Sequence, residues 1–121
     1  MNKISDSEKV IMDILWQSSP LTALEIIDKI DAELNWQDKT IKTLINRLLK
    51  KEAIGFKKQG RIYHYFPVLQ QDAYIQSATT GFLQRVFGGS VTNLVAAFAK
   101  HEQLSDKDIQ ELKALLKKLE K

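Results

Sequence analysis

Cysteine is absent from the 121 residues, which excludes disulfides, thiol chemistry and thiolate metal sites. Histidine is nearly absent too. Only His64 and His101 occur, and two histidines so far apart make no metal-ligand spacing. His64 falls mid-strand in the reading below, with no acid or nucleophile in local register, and His101 falls near a helix end beside Glu102. Neither supports catalysis, so no enzyme, metal or cofactor is expected. No apolar run approaches the roughly 18 residues that span a bilayer, and the start carries no signal-peptide pattern. The expected setting is the cytoplasm, without membrane insertion. The glycine doublet Gly88-Gly89 lacks the strand-turn-helix context and downstream lysine of a phosphate loop. It reads as a helix break.

An apolar content of 44% fits a globular chain of one domain or two small modules, and the N-terminal half alone holds only a modest core. The net charge of +3 is unevenly spread. Residues 1–38 hold Lys3, Lys9 and Lys29 against eight acids, a net of −5. Residues 39–61 hold Lys39, Lys42, Arg47, Lys50, Lys51, Lys57, Lys58 and Arg61 against Glu52 alone, a net of +7. Residues 62–121 come to +1. Positive charge confined to one stretch is the footprint of a nucleic-acid or phosphate-binding surface. The plainer alternative is a solvated face.

Within that stretch, Trp36 to Lys51 carries Ile41, Leu44, Ile45, Leu48 and Leu49 at i, i+3, i+4, i+7 and i+8. This is one face of an amphipathic helix. Lys39, Thr43, Asn46 and Lys50 point away from it, flanked by Thr40 and Arg47 on one side and Lys42 on the other. That outer face holds hydroxyls, an amide and cations but no acid. A merely soluble face would mix both signs for i,i+4 support.

Ser5-Asp6-Ser7-Glu8 has the form of a capping box and opens a helix to about Gln17, with Val10, Ile11, Ile14 and Leu15 as its core stripe. Pro20 prevents continuation, and Leu21 is a candidate for a very short strand. Thr22-Ala23-Leu24-Glu25 is a second capping box. Its helix turns Leu24, Ile27 and Ile30 inward and the acids Glu25, Asp28 and Asp31 outward, so it supports rather than reads. A loop through Asn35 leads to Gln37 as N-cap, with Trp36 and Ile41 placed as a hydrophobic staple. That loop is longer than a compact helix-turn-helix requires. Residues 53–58 and 61–67 then form a β-hairpin about a Gln59-Gly60 turn, with Tyr63 and Tyr65 on one face and Ile62, His64 and Phe66 on the other. Pro67 ends it.

From Gln70 the chain is helical only. The first helix presents Tyr74, Ile75, Ala78, Phe82, Leu83 and Val86. Ser90 caps the second, with Val91, Leu94, Val95, Phe98 and Ala99. Ser105 caps the third, where Ile109, Leu112, Leu116 and Leu119 follow an a/d pattern widened by Leu115. About 50 residues cannot bury such broad faces alone. Either they fold back on the N-terminal half or they meet a second copy, and the polar Gln70-Gln71-Asp72 segment after Pro67 favours the second copy. The residues expected at that interface are Tyr74, Ile75, Phe82, Leu83, Val86, Leu94, Val95, Phe98, Ile109, Leu112, Leu116 and Leu119.

The expected fold is therefore mainly α with a small β-hairpin wing: a winged helix-turn-helix over 1–69 and a helical dimerisation module over 70–121. In such folds the third helix enters the major groove and the wing touches the backbone. Candidate DNA contacts are Lys39, Thr40, Lys42, Thr43, Asn46, Arg47, Lys50, Lys51, Lys57, Lys58 and Arg61. Arg47 suits a bidentate pair with guanine, and Thr40 and Thr43 offer a hydroxyl with a methyl for thymine. Lys50, Lys51, Lys57, Lys58 and Arg61 suit phosphates. The competing reading is a winged-helix module whose basic face binds an acidic protein.

Trp36-x-x-Lys39-Thr40-Ile41-x-Thr43-x-x-x-Arg47-Leu48-x-Lys50-Lys51, followed by Gly60-Arg61-x-Tyr63-x-Tyr65, resembles the penicillinase-repressor family with its BlaI-, MecI- and CopY-like members. The likeness continues through Phe87-Gly88-Gly89-Ser90, Leu94-Val95, Phe98 and Leu104-Ser105-x-x-x-Ile109-x-x-Leu112. It implies a homodimeric repressor on a palindromic double-stranded DNA operator. In BlaI- and MecI-like members it further implies release by cleavage of an Asn-Phe bond, triggered by a membrane sensor protease system. The matching pair here is Ala97-Phe98, with alanine in the asparagine position. The CopY-like C-terminal cysteine hook has no counterpart, and Gln37-Asp38 stands where relatives often have Ser-Pro.

Overall fold

Capping boxes set where the helices start. In the computed structural model, which describes residues 3–120, the Ser5 hydroxyl accepts from the Glu8 amide and the Glu8 carboxylate accepts from the Ser5 amide. This opens α1 (Asp6–Gln17). Thr22 and Glu25 repeat the arrangement at α2 (Ala23–Lys29), and Ser105 and Asp108 at α6 (Asp106–Leu119). Between α2 and α3 (Asp38–Lys50) a 3-10 turn spans Ala32–Leu34. The strands are β1 (Ile54–Gln59) and β2 (Ile62–Pro67), followed by α4 (Gln71–Phe87) and α5 (Val91–Lys100). Residues 1–2 and 121, the outer ends of the two expected domains, lie outside the described residues.

Two core stripes differ from their expected composition. Along α1 the buried side chains are Glu8, Ile11, Met12 and Leu15, at i, i+3, i+4 and i+7, while Val10 and Ile14 are half-buried. The stripe includes a carboxylate because that carboxylate is paired. Along α2 the buried residue is Ile26, and Leu24 is 70% exposed. Ala23, Ile26, Ile27 and Ile30 share a helical face, and Leu24 falls off it.

The hairpin turns at Gly60-Arg61, one residue later than expected, because Gln59 pairs with Ile62. Gly60 takes φ of 62°, which costs glycine little. Leu21 supplies the short strand: its amide donates to Tyr65 O at 3.0 Å, and its carbonyl accepts from the Tyr65 amide at 2.7 Å. Tyr65, Ile54 and Ala53 join Ile11, Met12, Leu15, Ile26, Ile41, Leu44, Ile45 and Leu48 in one core. Trp36 packs against that core, as its staple position requires. The Trp16 indole N–H donates to Leu69 O at 2.8 Å, and its ring lies 5.4 Å from that of Tyr74.

The chain divides into two compact units at Tyr74 and Ile75, five residues beyond the expected boundary after residue 69. Tyr74 falls in the first unit, where its ring meets that of Trp16. In the second unit, none of the described side chains of α5 or α6 is buried. Ile75, Phe82 and Val86 are about half exposed, Leu119 more so, and Leu83, Leu94 and Leu112 are half-buried. Gly88 and Gly89 both adopt positive φ and end α4. A groove of about 430 Å³ is lined by Leu94, Val95, Phe98, Leu104, Leu112 and Leu115, with Asp108 and Glu111 beside them.

Candidate nucleic-acid interface

Burial of one face of α3 determines what the other face presents. Ile41, Leu44, Ile45 and Leu48 are each at most 4% exposed, which fixes the rotation of the helix. Lys39, Thr40, Lys42, Thr43, Asn46, Arg47 and Lys50 are then all exposed. The start of α3 lacks a side-chain cap, since Gln37 makes no cap hydrogen bond. Its amides are left to another acceptor, and phosphate is the acceptor that helix N-termini favour. The Thr43 hydroxyl donates to Lys39 O at 2.9 Å, so Thr43 offers a partner its lone pairs and methyl rather than its proton.

The other end of α3 is closed without glycine. The Glu52 amide donates to Leu49 O and the Ala53 amide to Leu48 O, both at 3.0 Å. This is a Schellman closure with Glu52 in the left-handed position at φ 61°. It swings the chain directly into β1.

Lys51 departs from its expected role. Its ammonium donates to Glu8 Oε1 at 2.5 Å and to Lys3 O at 2.6 Å. A buried carboxylate holds a nearby cation far more strongly than an exposed phosphate would. Lys51 therefore belongs to the scaffold. Burial pushes the Glu8 carboxyl up, but hydrogen bonds from Lys51 and Ser5, with the Lys51 charge, outweigh it and leave its pKa lowered. The Glu25 carboxyl is also lowered, by the Thr22 amide and hydroxyl at its cap. The Tyr65 hydroxyl is pushed up by burial and by Tyr63.

On the wing, Lys57, Lys58 and Arg61 are all exposed, but they do not share a face. Lys58 pairs with Tyr63 and Lys57 with His64, so alternation sends the two lysines to opposite sides of the ribbon. Phe56, Tyr63 and Tyr65 share the Lys58 side. Phe56 and Tyr63 stack at 4.5 Å and 15°, and Tyr63 meets Tyr65 edge-on at 6.4 Å. The sequence places Tyr63 and Tyr65 together on one face, whereas Phe56 joins that side through its pairing with Tyr65, which was not singled out. Glu8 was missed as a core residue because a carboxylate reads as surface until its partner, 43 positions away, is known.

The candidate cleavage pair Ala97-Phe98 lies within α5, with Ala97 half-buried and Phe98 41% exposed. Among the described residues, no cluster of three His, Asp or Glu side chains is placed to hold a metal. No described helix is long and apolar enough to cross a membrane.

A family model described as penicillinase repressor matches residues 4–118. A penicillinase repressor of Staphylococcus aureus is 38% identical over 119 residues, covering 98% of this chain and 94% of that protein. One from Bacillus licheniformis is 34% identical over 114 residues, covering 94% and 89%. Among solved structures, the monomeric form of Bacillus licheniformis BlaI in complex with the blaP half-operator aligns with a TM-score of 0.53 at 35% identity, covering 61% of this chain and 90% of that one. The likeness runs along nearly the whole sequence, and this chain belongs to the penicillinase repressor family.

Proposed function

We propose that the protein is a DNA-binding transcriptional repressor, not an enzyme, which acts in the cytoplasm as a homodimer on a two-fold-related operator. The observation that carries this reading is the outer face of α3, where Lys39, Thr40, Lys42, Thr43, Asn46, Arg47 and Lys50 stand exposed with no acid among them. The solved relative bound to a half-operator supports the same use of the fold. Arg47 is the base reader, able to present two parallel N–H donors to guanine O6 and N7. Lys39 and Lys42 lead the helix into the groove, and Lys50 with the wing cations contacts phosphates. The domain boundary that serves this division of labour is Tyr74/Ile75, with DNA binding before it and dimerisation after it.

Support for two copies comes from the second unit, whose apolar faces on α4, α5 and α6 stay uncovered in a single chain. A face of that kind meets another apolar surface in a stable protein. Release by a sensor protease at Ala97-Phe98 would require α5 to unwind first, because a protease needs an extended substrate. A gel shift on genomic fragments tests the proposal: a repressor selects a few discrete sites, whereas a module for acidic proteins selects none.

A further inference from the structure

The wing carries an exposed aromatic pair that the proposed phosphate contacts do not use. Along one face of the hairpin the side chains pass from the core outward: Ile54 and Tyr65 are buried, while Tyr63 and Phe56 are 39% and 45% exposed. Phe56 is stacked on the Tyr63 ring, and the Lys58 ammonium lies over that ring at 5.7 Å from its centroid. With Phe56 against it and Lys58 above it, the ring has little bare face left for a base to stack on. What it offers a partner is its hydroxyl, which makes no hydrogen bond among the described residues. An ammonium above the ring and a phenolic O–H at its rim are both donors suited to an anion. The surrounding charge narrows the anion further. Lys57 and Arg61 lie close by in sequence, and Glu52 is the single acid between residues 39 and 61.

We propose that Tyr63 and Lys58 form one backbone-phosphate site on the wing, with the Tyr63 hydroxyl donating a hydrogen bond and the Lys58 ammonium supplying charge. The occupant is a DNA phosphate, because Lys58 belongs to the stretch 39–61, whose net charge is +7, and Tyr63 follows that stretch two residues later. The inference rests on the protein binding DNA. Phe56 serves as the floor that holds the Tyr63 ring upright, and the ring in turn keeps the flexible Lys58 stem in place. Because a phosphate contact carries no base information, Tyr63 contributes to affinity for every sequence alike.

The probe is a mixed-sequence duplex of about 30 base pairs, long enough to span two half-sites a helical turn apart. Binding of the full chain is followed by fluorescence anisotropy from about 50 to 200 mM salt. Tyr63→Phe keeps the ring and the stack and removes only the donor. It is expected to weaken binding roughly three- to tenfold without changing the salt slope, as loss of one neutral donor would. Lys58→Gln is expected to reduce the slope by about 0.9 for each bound protomer, so about 1.8 for a dimer. Tyr63→Leu is expected to do both, since Lys58 loses its ring. Wild-type affinity in Tyr63→Phe would reduce the ring to a strut and overturn the inference while leaving DNA binding intact. A wild-type chain that fails to bind the duplex at all would overturn the DNA-binding reading as well.

Discussion

Lys51, the residue that closes the proposed recognition helix, places its ammonium 2.5 Å from Oε1 of Glu8 in the first turn of α1. Glu8 is 1% exposed and is the one buried charged residue among those described. The same carboxylate completes the Ser5 capping box, so a single side chain starts one helix and anchors the end of another. Fixing the C-terminal end of α3 fixes the direction in which Arg47 and Thr40 point.

Removing the cation leaves the carboxylate buried without a counter-ion. Lys51→Met is expected to cost about 2–4 kcal/mol of stability, measured by urea unfolding, whereas Lys50→Met on the exposed face should stay within about 0.5 kcal/mol. The salt slope of DNA binding separates the two lysines in the opposite sense. Lys50→Met lowers it by about 0.9 for each bound protomer, and a folded Lys51→Met leaves it unchanged.

The lowered Glu8 pKa sets a pH dependence. A carboxyl depressed in the folded state contributes stability above its unfolded value and loses it as pH falls through the folded value. Wild-type stability should therefore decline as the pH drops below 4.5, the ordinary value for this group. Glu8→Gln keeps an acceptor for the capping box but cannot titrate, so it starts lower and shows a shallower acid limb. Parallel acid limbs in the two proteins would refute this assignment of the pair.

Much of the fold was legible because its signals are local. Capping boxes at Ser5, Thr22 and Ser105, the staple at Trp36, the helix break at Gly88-Gly89 and the periodicity of α3 each sit within a few residues of sequence. What stayed hidden depends on long-range partners. Glu8 is buried with Lys51 as its partner, and Tyr74 meets the ring of Trp16, 58 positions earlier. On α2, a spacing of 24, 27 and 30 and one of 23, 26, 27 and 30 were both compatible with a short helix. Packing selected the second, which buries Ile26. For the same reason the exposed, acid-free face of α3 was accessible from pattern alone, while adding Phe56 to the Tyr63 and Tyr65 side of the wing needed the strand register.

Glu52 supplies a third test. It holds a left-handed conformation at the end of α3, which costs a residue with a Cβ roughly 1–2 kcal/mol. Glycine adopts it freely but loses more chain entropy on folding. Glu52→Gly should therefore stabilise the protein by a net of about 0.5–1 kcal/mol. It also removes the one acid of the basic stretch, so DNA affinity should rise. A destabilised variant would show that Glu52 makes a compensating contact.

Dimerisation is tested at the second unit. Phe98 is 41% exposed in the apolar groove of α5 and α6. Phe98→Asp should convert a dimer to a monomer in light scattering at micromolar concentration. It should also weaken binding to a two-fold DNA site far more than to a half-site, because a linked pair of contacts gains from effective concentration. Wild-type protein that scatters as a monomer would rule out this role for the helices after Ile75.

In the proposed function, the acid-free face of α3 reads DNA through Arg47. The most direct measurement compares wild type and Arg47→Ala for binding to a genomic site selected by the wild-type protein, across a range of salt. Wild type should bind that site tightly and lose affinity steeply as salt rises. Arg47→Ala should bind it roughly 1–3 kcal/mol more weakly and accept a changed base at one position in each half-site. Binding that ignores both salt and Arg47→Ala would contradict the account.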